Sequence, residues 1–246
     1  MKKGIAASKG YAIGTVFIQE HEEIIISDAK VSDIAAEKEK LSKALAQSKE
    51  QLEAIKEKTA KEIGEHEAQV FEAHLMLLDD VEFTGQMEMT IENDQLNAMK
   101  AVQNVTDTFV MIFDSMDDPY MRERAADIKD VSKRIIANLA GKGGNGMENV
   151  GANTVVVAHD LTPSDTAQLD RSKVIGFLTN IGGRTSHSAI MARTLEIPAV
   201  VGLGNITTSV KNGDTVIVDG IEGVAIINPD EATINEYKAR LEKFKA

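Results

Sequence analysis

The sequence predicts a fold in two parts: an α/β domain interrupted by an all-α, antiparallel helical bundle. Three observations predict it. Short apolar runs with strand character occur near both ends of the chain. Between them, apolar residues recur at three- and four-residue spacings, the signature of helices with one buried face. Neither terminal set of strands is large enough to bury a core alone, so the two sets pair into one domain around the helical block. The expected boundaries are residues 1–30 with 142–230 for the α/β domain, 31–141 for the bundle and 231–246 for a C-terminal linker helix.

Taken in order, Ile5–Ala7 and Tyr11–Ile18 read as strands about a Ser8-Lys9-Gly10 turn. After a polar break at 20–23, Ile24-Ile25-Ile26 reads as a third. Ser32 or Asp33 caps a long helix whose Ile34, Leu41, Leu45, Leu52 and Ile55 share a face, ending near Gly64. A second helix carries Val70, Phe71, Leu75, Met76 and Leu78, with breaks expected at Gly85 and Asn93-Asp94. A third runs from about Asn97 to Ser115. Pro119 opens a fourth that reaches Leu139. Short connections make these neighbours antiparallel. The glycine run 141–146 closes the block. Beyond it, Thr154–Ala158, Val174–Thr179, Ala199–Val201, Thr215–Val218 and Val224–Ile227 read as strands, Pro163–Leu169 as a short helix and Glu231–Ala246 as a charged helix.

Hydrophobic residues make up 43 % of the chain, enough for a core, but aromatics are 4 % and Trp is absent, so the core is built from Ile, Leu, Val, Ala and Met. The absence of cysteine excludes disulfides, iron–sulfur clusters and thiolate metal sites, and fits a cytoplasmic location. No run of eighteen apolar residues suggests a membrane span. A net charge of −12 argues against a nucleic-acid binder. That charge is concentrated. Glu62 to Met99 holds ten acids and no Lys or Arg, so this segment contributes −10 of the −12. It reads either as a solvated face or as an electrostatic landing site for a basic protein.

Of the five histidines, His66 and His74 are eight residues apart and form no ligand pair, so no metal site is expected. His21 and His159 read as surface or turn residues. His187 is different. It lies in Gly182-Gly183-Arg184-Thr185-Ser186-His187-Ser188-Ala189-Ile190-Met191-Ala192-Arg193, between a buried strand and a helical pattern that Pro198 ends. The turn places His187 in a first helical turn, where free N–H groups and the helix dipole favour an anion and a neutral imidazole. Glycines 182 and 183 permit close backbone approach. Arg184 supplies a multi-donor anion partner, and Thr185, Ser186 and Ser188 supply hydroxyls. By spacing and composition alone, this histidine is either a capping residue or a phosphoryl carrier.

All twelve positions resemble the phosphohistidine signature of the phosphoenolpyruvate-utilising enzymes. Gly4-Ile5-Ala6-Ala7-Ser8-Lys9-Gly10, Phe71-Glu72-Ala73-His74-Leu75-Met76-Leu77-Leu78, Arg122-Glu123-Arg124-Ala125-Ala126-Asp127 and Asp160-Leu161-Thr162-Pro163-Ser164-Asp165-Thr166-Ala167-Gln168-Leu169 extend the likeness. From about residue 4 to the end, the chain is similar to the N-terminal half of enzyme I of the phosphoenolpyruvate:sugar phosphotransferase system. The resemblance implies a swivelling-type phosphohistidine α/β domain with the bundle inserted. It implies a phosphoenolpyruvate-protein phosphotransferase, a cytoplasmic phosphoprotein that feeds bacterial sugar uptake. His187 is then the covalent nucleophile and the Thr166 hydroxyl its partner. Arg184, with the turn residues Gly182, Gly183, Thr185, Ser186 and Ser188, holds the phosphoryl oxygens.

The resemblance also implies docking of the phosphocarrier HPr on Glu65, His66, Glu67, Glu72, His74, Met76, Leu77, Asp80, Glu82 and Arg124; Arg124 is alternatively a partner of Asp127 or Glu123. No cofactor is expected on this chain. Phosphoenolpyruvate, Mg²⁺ and the dimer contact are expected on a C-terminal barrel domain that this sequence lacks, which makes the fragment a monomer and the full-length enzyme a homodimer. The alternatives are the phosphohistidine domain of a pyruvate phosphate dikinase or phosphoenolpyruvate synthase, and a non-catalytic, protein-binding helical module with a silent histidine.

Overall fold

The structure, a computed structural model, describes residues 1–20, 24–142 and 150–246. His21 and the glycines at 143, 144 and 146 lie outside the described residues. The elements run β1 (Lys2–Lys3), β2 (Ile5–Ser8), β3 (Tyr11–Gln19), α1 (Ile34–Glu62), α2 (Glu65–Asp79), α3 (Val81–Asp94), α4 (Ala98–Asp114), α5 (Pro119–Leu139), β4 (Thr154–Ala158), α6 (Pro163–Ala167), β5 (Val174–Thr179), α7 (His187–Thr194), β6 (Ala199–Val201), α8 (Ile206–Ser209), β7 (Thr215–Asp219), β8 (Val224–Ile227) and α9 (Glu231–Lys245). They divide into two compact units, Met1–His21 with Asn145–Ala246, and Glu22–Gly144.

Among the described residues the helical unit contains five helices rather than the four expected. Gly85 does not break a helix; it sits inside α3 with open space where a side chain would go. The break falls at Asp80, which ends α2 and whose carboxylate accepts the Glu82 N–H at 2.9 Å, capping α3 at once. Asp33, Asn97 and Asp118 cap α1, α4 and α5 in the same way, and Pro119 stands in the first turn of α5. Leu41, Leu52, Phe71, Phe83, Met87, Ile91, Val102, Ile128 and Ile135 form the buried interior. Ile24-Ile25-Ile26 is not a strand. Ile25 is 91 % exposed and the segment has no ladder partner among the described residues, and three apolar residues without such a partner gain no burial from extension.

The α/β unit holds a mixed sheet of order β1-β8-β7-β3-β4-β5-β6-β2. The strands β3, β4, β5 and β6 run parallel, while β7, β8, β1 and β2 join antiparallel. Parallel strands buried on both faces read as continuous apolar runs, and β4 (Thr-Val-Val-Val-Ala) is buried throughout. One face packs Val16, Val155, Val157, Leu178, Val200 and Val218 against Ile206 and Val210.

The two ends of the strand order are β1 and β2, yet only Gly4 separates them in the chain. One residue spans only about 7 Å, so the sheet must roll until its edges meet. Gly4 N–H donates to Gly223 O at 2.8 Å across the junction. A Cβ on Gly4 would stand 2.5 Å from Val201 O and 3.0 Å from Leu203 Cδ2, so this position takes no side chain.

The final helix, expected as a linker, packs on the α/β unit. Buried Tyr237 meets Tyr11 edge-on and donates its hydroxyl to Asp219 Oδ2 at 2.8 Å. Arg240 lies over the same ring, 4.6 Å from its centroid. Burial, with the neighbouring Asp219 carboxylate, pushes the Tyr237 phenol up to about 12.

Candidate functional site

The site forms at the carboxyl ends of two neighbouring parallel strands, β4 and β5, where open α/β sheets commonly place their ligands. The loop after β4 leads into α6, which is pinned by a capping box: Thr162 N–H donates to Asp165 Oδ2 at 2.9 Å, and Asp165 N–H donates to Thr162 Oγ1 at 3.2 Å. Asp165 and Thr166 are buried, so this short helix presents Thr166 in a fixed place.

The loop after β5 leads into α7. Ser186, not His187, is the cap, with its Oγ 3.4 Å from the Ala189 N–H. His187 is therefore the first residue of the helix, half-buried, at the end where backbone donors lack intrahelical acceptors. Thr166 Oγ1 lies 3.0 Å from His187 Nε2 and 3.1 Å from Pro163 O. When the hydroxyl donates to Pro163 O, its oxygen accepts from Nε2, and the ring is fixed in orientation. The expected partnership of residues 166 and 187 is thus present in the geometry, and the ring nitrogen involved is Nε2.

Other expected residues sort differently. Gly182 has φ +116°, and a Cβ there would sit 3.1 Å from Ser186 Oγ. A Cβ on Gly183 would meet nothing within 4 Å, so this glycine leaves open room beside the turn rather than relieving a clash. Arg184 and Thr185 are exposed, and the Arg184 guanidinium meets no acceptor among the described residues. The serines do not match their expected role as phosphoryl donors. Ser186 Oγ gives its proton to Gly183 O at 2.7 Å, so Ser188, which is fully buried, donates to Ser186 across 3.3 Å. Their hydroxyls brace the loop from inside. Among the described residues no cluster of three potential metal ligands occurs, and no helix is long and apolar enough to cross a membrane. His159, expected at a turn, is exposed just past β4 and accepts from the Asn180 amide at its Nδ1, 3.1 Å away.

On the helical unit, Glu65, His66, Glu72, Asp80 and Glu82 are exposed and Met76 is 64 % exposed, while Glu67 and Arg124 are half-buried. Two expected members are corrected: His74 is 0 % and Leu77 5 % exposed. They fall on the stripe of Phe71 and Leu78 that faces the interior. His74 Nε2 lies 3.2 Å from Asp127 Oδ1, and its Nδ1 is buried without a partner among the described residues. Arg124 has no carboxylate partner among the described residues, neither Asp127, which faces His74, nor Glu123. Glu72 pairs with Lys56, and Asp79 with Lys49 at 3.2 Å, so lysines of α1 neutralise one margin of the acidic face. Beside Asp80, at the margin of the expected patch, Val81 is 79 % exposed.

The family model for the N-terminal region of PEP-utilising enzymes matches residues 3–124, and that for their mobile domain matches residues 150–223. A phosphoenolpyruvate-protein phosphotransferase of Enterococcus faecalis is 50 % identical over 245 residues, which cover 99 % of this chain and 43 % of the relative. Its counterpart in Listeria monocytogenes is 51 % identical over 236 residues, covering 96 % and 41 %. An enzyme I protein solved by NMR in solution superposes with a TM-score of 0.89 at 47 % identity, covering all of both chains. The chain belongs to the phosphoenolpyruvate-utilising enzymes, as a member of the enzyme I branch. It spans about two fifths of the length of the curated relatives it matches. Because the likeness runs through helical block and α/β unit alike, the dikinase-like and silent-module readings are not favoured.

Proposed function

We propose that this chain is a phosphoryl carrier: His187 accepts a phosphoryl group and exchanges it reversibly with HPr, a step in bacterial sugar uptake in the cytoplasm. The observation that carries this reading is the seat of His187, a half-buried imidazole at the first position of α7 held at 3.0 Å by Thr166. The names of the relatives support it. The reaction is an in-line displacement. A lone pair of the His187 ring forms a P–N bond as the P–N bond to the carrier's histidine breaks, and that electron pair returns to the carrier's ring. His187 sheds the proton on its other ring nitrogen, and the carrier's imidazole takes up one proton as it leaves, so the exchange balances in protons as well as in phosphorus. Little covalent chemistry is asked of the protein, so positioning and charge neutralisation do most of the work. Arg184 and Thr185, exposed beside open space at Gly183, are the donors suited to the phosphoryl oxygens.

HPr, a basic partner in this reading, meets the face of Glu65, Asp80 and Glu82 with Met76 and Val81 as apolar contacts. We assign phosphoenolpyruvate, Mg²⁺ and the dimer contact to the part of such relatives that this chain does not span, and expect residues 1–246 to be a monomer that takes phosphorus from phosphorylated HPr but not from phosphoenolpyruvate. Incubation with phosphorylated HPr, followed by mass spectrometry under non-acidic conditions, tests the reading. An acid-labile gain of about 80 Da on His187 is expected for one phosphoryl group. An unmodified chain after prolonged incubation rejects it.

A further inference from the structure

We infer that Arg193 is a positioning residue for phosphoryl transfer, acting by clamping the His187 loop to the edge of the sheet; the inference rests on the carrier reading above. Arg193 stands in the last turn of α7 and reaches two separate stretches of chain. Its Nη1 donates to Ala7 O of β2 at 2.7 Å, and its Nη2 donates to Arg184 O at 2.7 Å.

A basic residue in a last turn ordinarily serves its own helix, by meeting the final carbonyls or the negative end of the dipole. Here that end is closed without it. Leu195 N–H donates to Met191 O at 2.9 Å, Ile197 N–H to Ala192 O at 3.0 Å and Glu196 N–H to Arg193 O at 3.2 Å. The side chain instead lies back along the helix. Helical side chains tilt toward the N-terminus, and six residues of helix rise about 9 Å, within reach of a long side chain aimed at the turn before His187.

The consequence is local. The Gly182-Gly183 turn has the softest backbone in the site, with Gly182 in a left-handed conformation and open space at Gly183. A peptide unit is planar, so fixing the Arg184 carbonyl also fixes the Thr185 N–H on its opposite side. That N–H has no acceptor among the described residues. The two arginines of the stretch thus divide the labour: Arg193 spends its donors on carbonyls, while the Arg184 side chain stays available for an anion. The arrangement needs a planar fork with two diverging donors, which Arg provides and Lys does not.

The test uses Arg193→Met and Arg193→Lys with two readouts. In single-turnover phosphorylation by phosphorylated HPr, Arg193→Met should lower the saturating rate about tenfold or more, as a misplaced reacting group does, with the half-saturating HPr concentration within about twofold of wild type. In ¹⁵N relaxation without any donor, the amides of residues 184–186 should fall from order parameters of about 0.85 to below about 0.7. Arg193→Lys, which keeps the charge and one donor, should give intermediate values in both, and it carries the test if the methionine variant does not fold. A wild-type saturating rate or unchanged loop order in the variants overturns the inference. A wild-type chain that takes no label sinks the carrier reading instead, and the order parameters then decide the clamp alone.

Discussion

Two histidines, one in each unit, show what makes an imidazole available for chemistry. His74 in the bundle is fully buried, has a carboxylate at 3.2 Å and holds an unpartnered ring nitrogen in the interior. His187 is half-buried at a helix start, with a hydroxyl at 3.0 Å and a soft, open turn beside it. Both occur in segments that match the family pattern. Only the second has access, donors for an anion and a partner that orients the ring without adding a charge. The difference lies in the seat rather than in the residue type.

The largest effect separates the two directly. His187→Ala should abolish the adduct of about 80 Da while leaving HPr binding and stability almost unchanged. His74→Ala should do the reverse, preserving acceptance but lowering stability by about 2 kcal/mol, read by denaturant melting, because it opens a cavity and strips Asp127 of its partner. If His74→Ala abolished acceptance in the folded protein, the contrast would be wrong. A smaller effect sharpens the role of the seat: Thr166→Val should slow the saturating rate of acceptance about tenfold, since losing a group that orients a reactive histidine commonly costs roughly 10- to 100-fold. Reversal of Asp80 and Glu82 to Lys should weaken HPr association about tenfold at low salt and flatten its salt dependence, yet restore a normal rate at saturating HPr.

The smallest effect concerns stability in the α/β unit. The Tyr237 phenol is raised to about 12 in the fold. An unfolded tyrosine titrates near 10, so between roughly pH 10 and 12 the unfolded chain has lost a proton that the native state keeps. Stability from this group is fully present below about pH 10 and is lost as pH rises through that window. Tyr237→Phe should remove this alkaline slope and cost about 1 kcal/mol at neutral pH through the lost bond to Asp219. A slope that persists in the variant assigns it to another group.

Much of this was legible from pattern. The β4 run, the capped helices and the strand-to-helix turn at His187 all follow rules that act within a few residues. What escaped depended on partners distant in sequence. Ile24-Ile25-Ile26 has strand composition but no ladder to join. Gly85 is a plausible breaker that lost to Asp80, whose side chain caps a new helix five residues earlier. His74 was legible in principle, because the spacing from Phe71 and to Leu78 puts it on the buried stripe; motif position drew it to the surface instead. Ser188 could be known to turn inward, and Arg193 to grip Ala7, only with the loop and β2 in place.

The junction at Gly4 also dictates an order of events on the ribosome. The helical unit is one continuous stretch and has all its parts once residue 144 has emerged. The sheet cannot be finished so early, since Ile5 pairs with Val201 and Lys2 with Ala225. At typical elongation rates the first residues wait roughly 10 to 40 s for the strand that will accept them. During that interval an unpaired apolar edge is exposed to neighbouring chains. Nascent protein truncated between residues 144 and 199 should therefore be the form most dependent on chaperones, with a finished bundle tethered to an unfinished sheet.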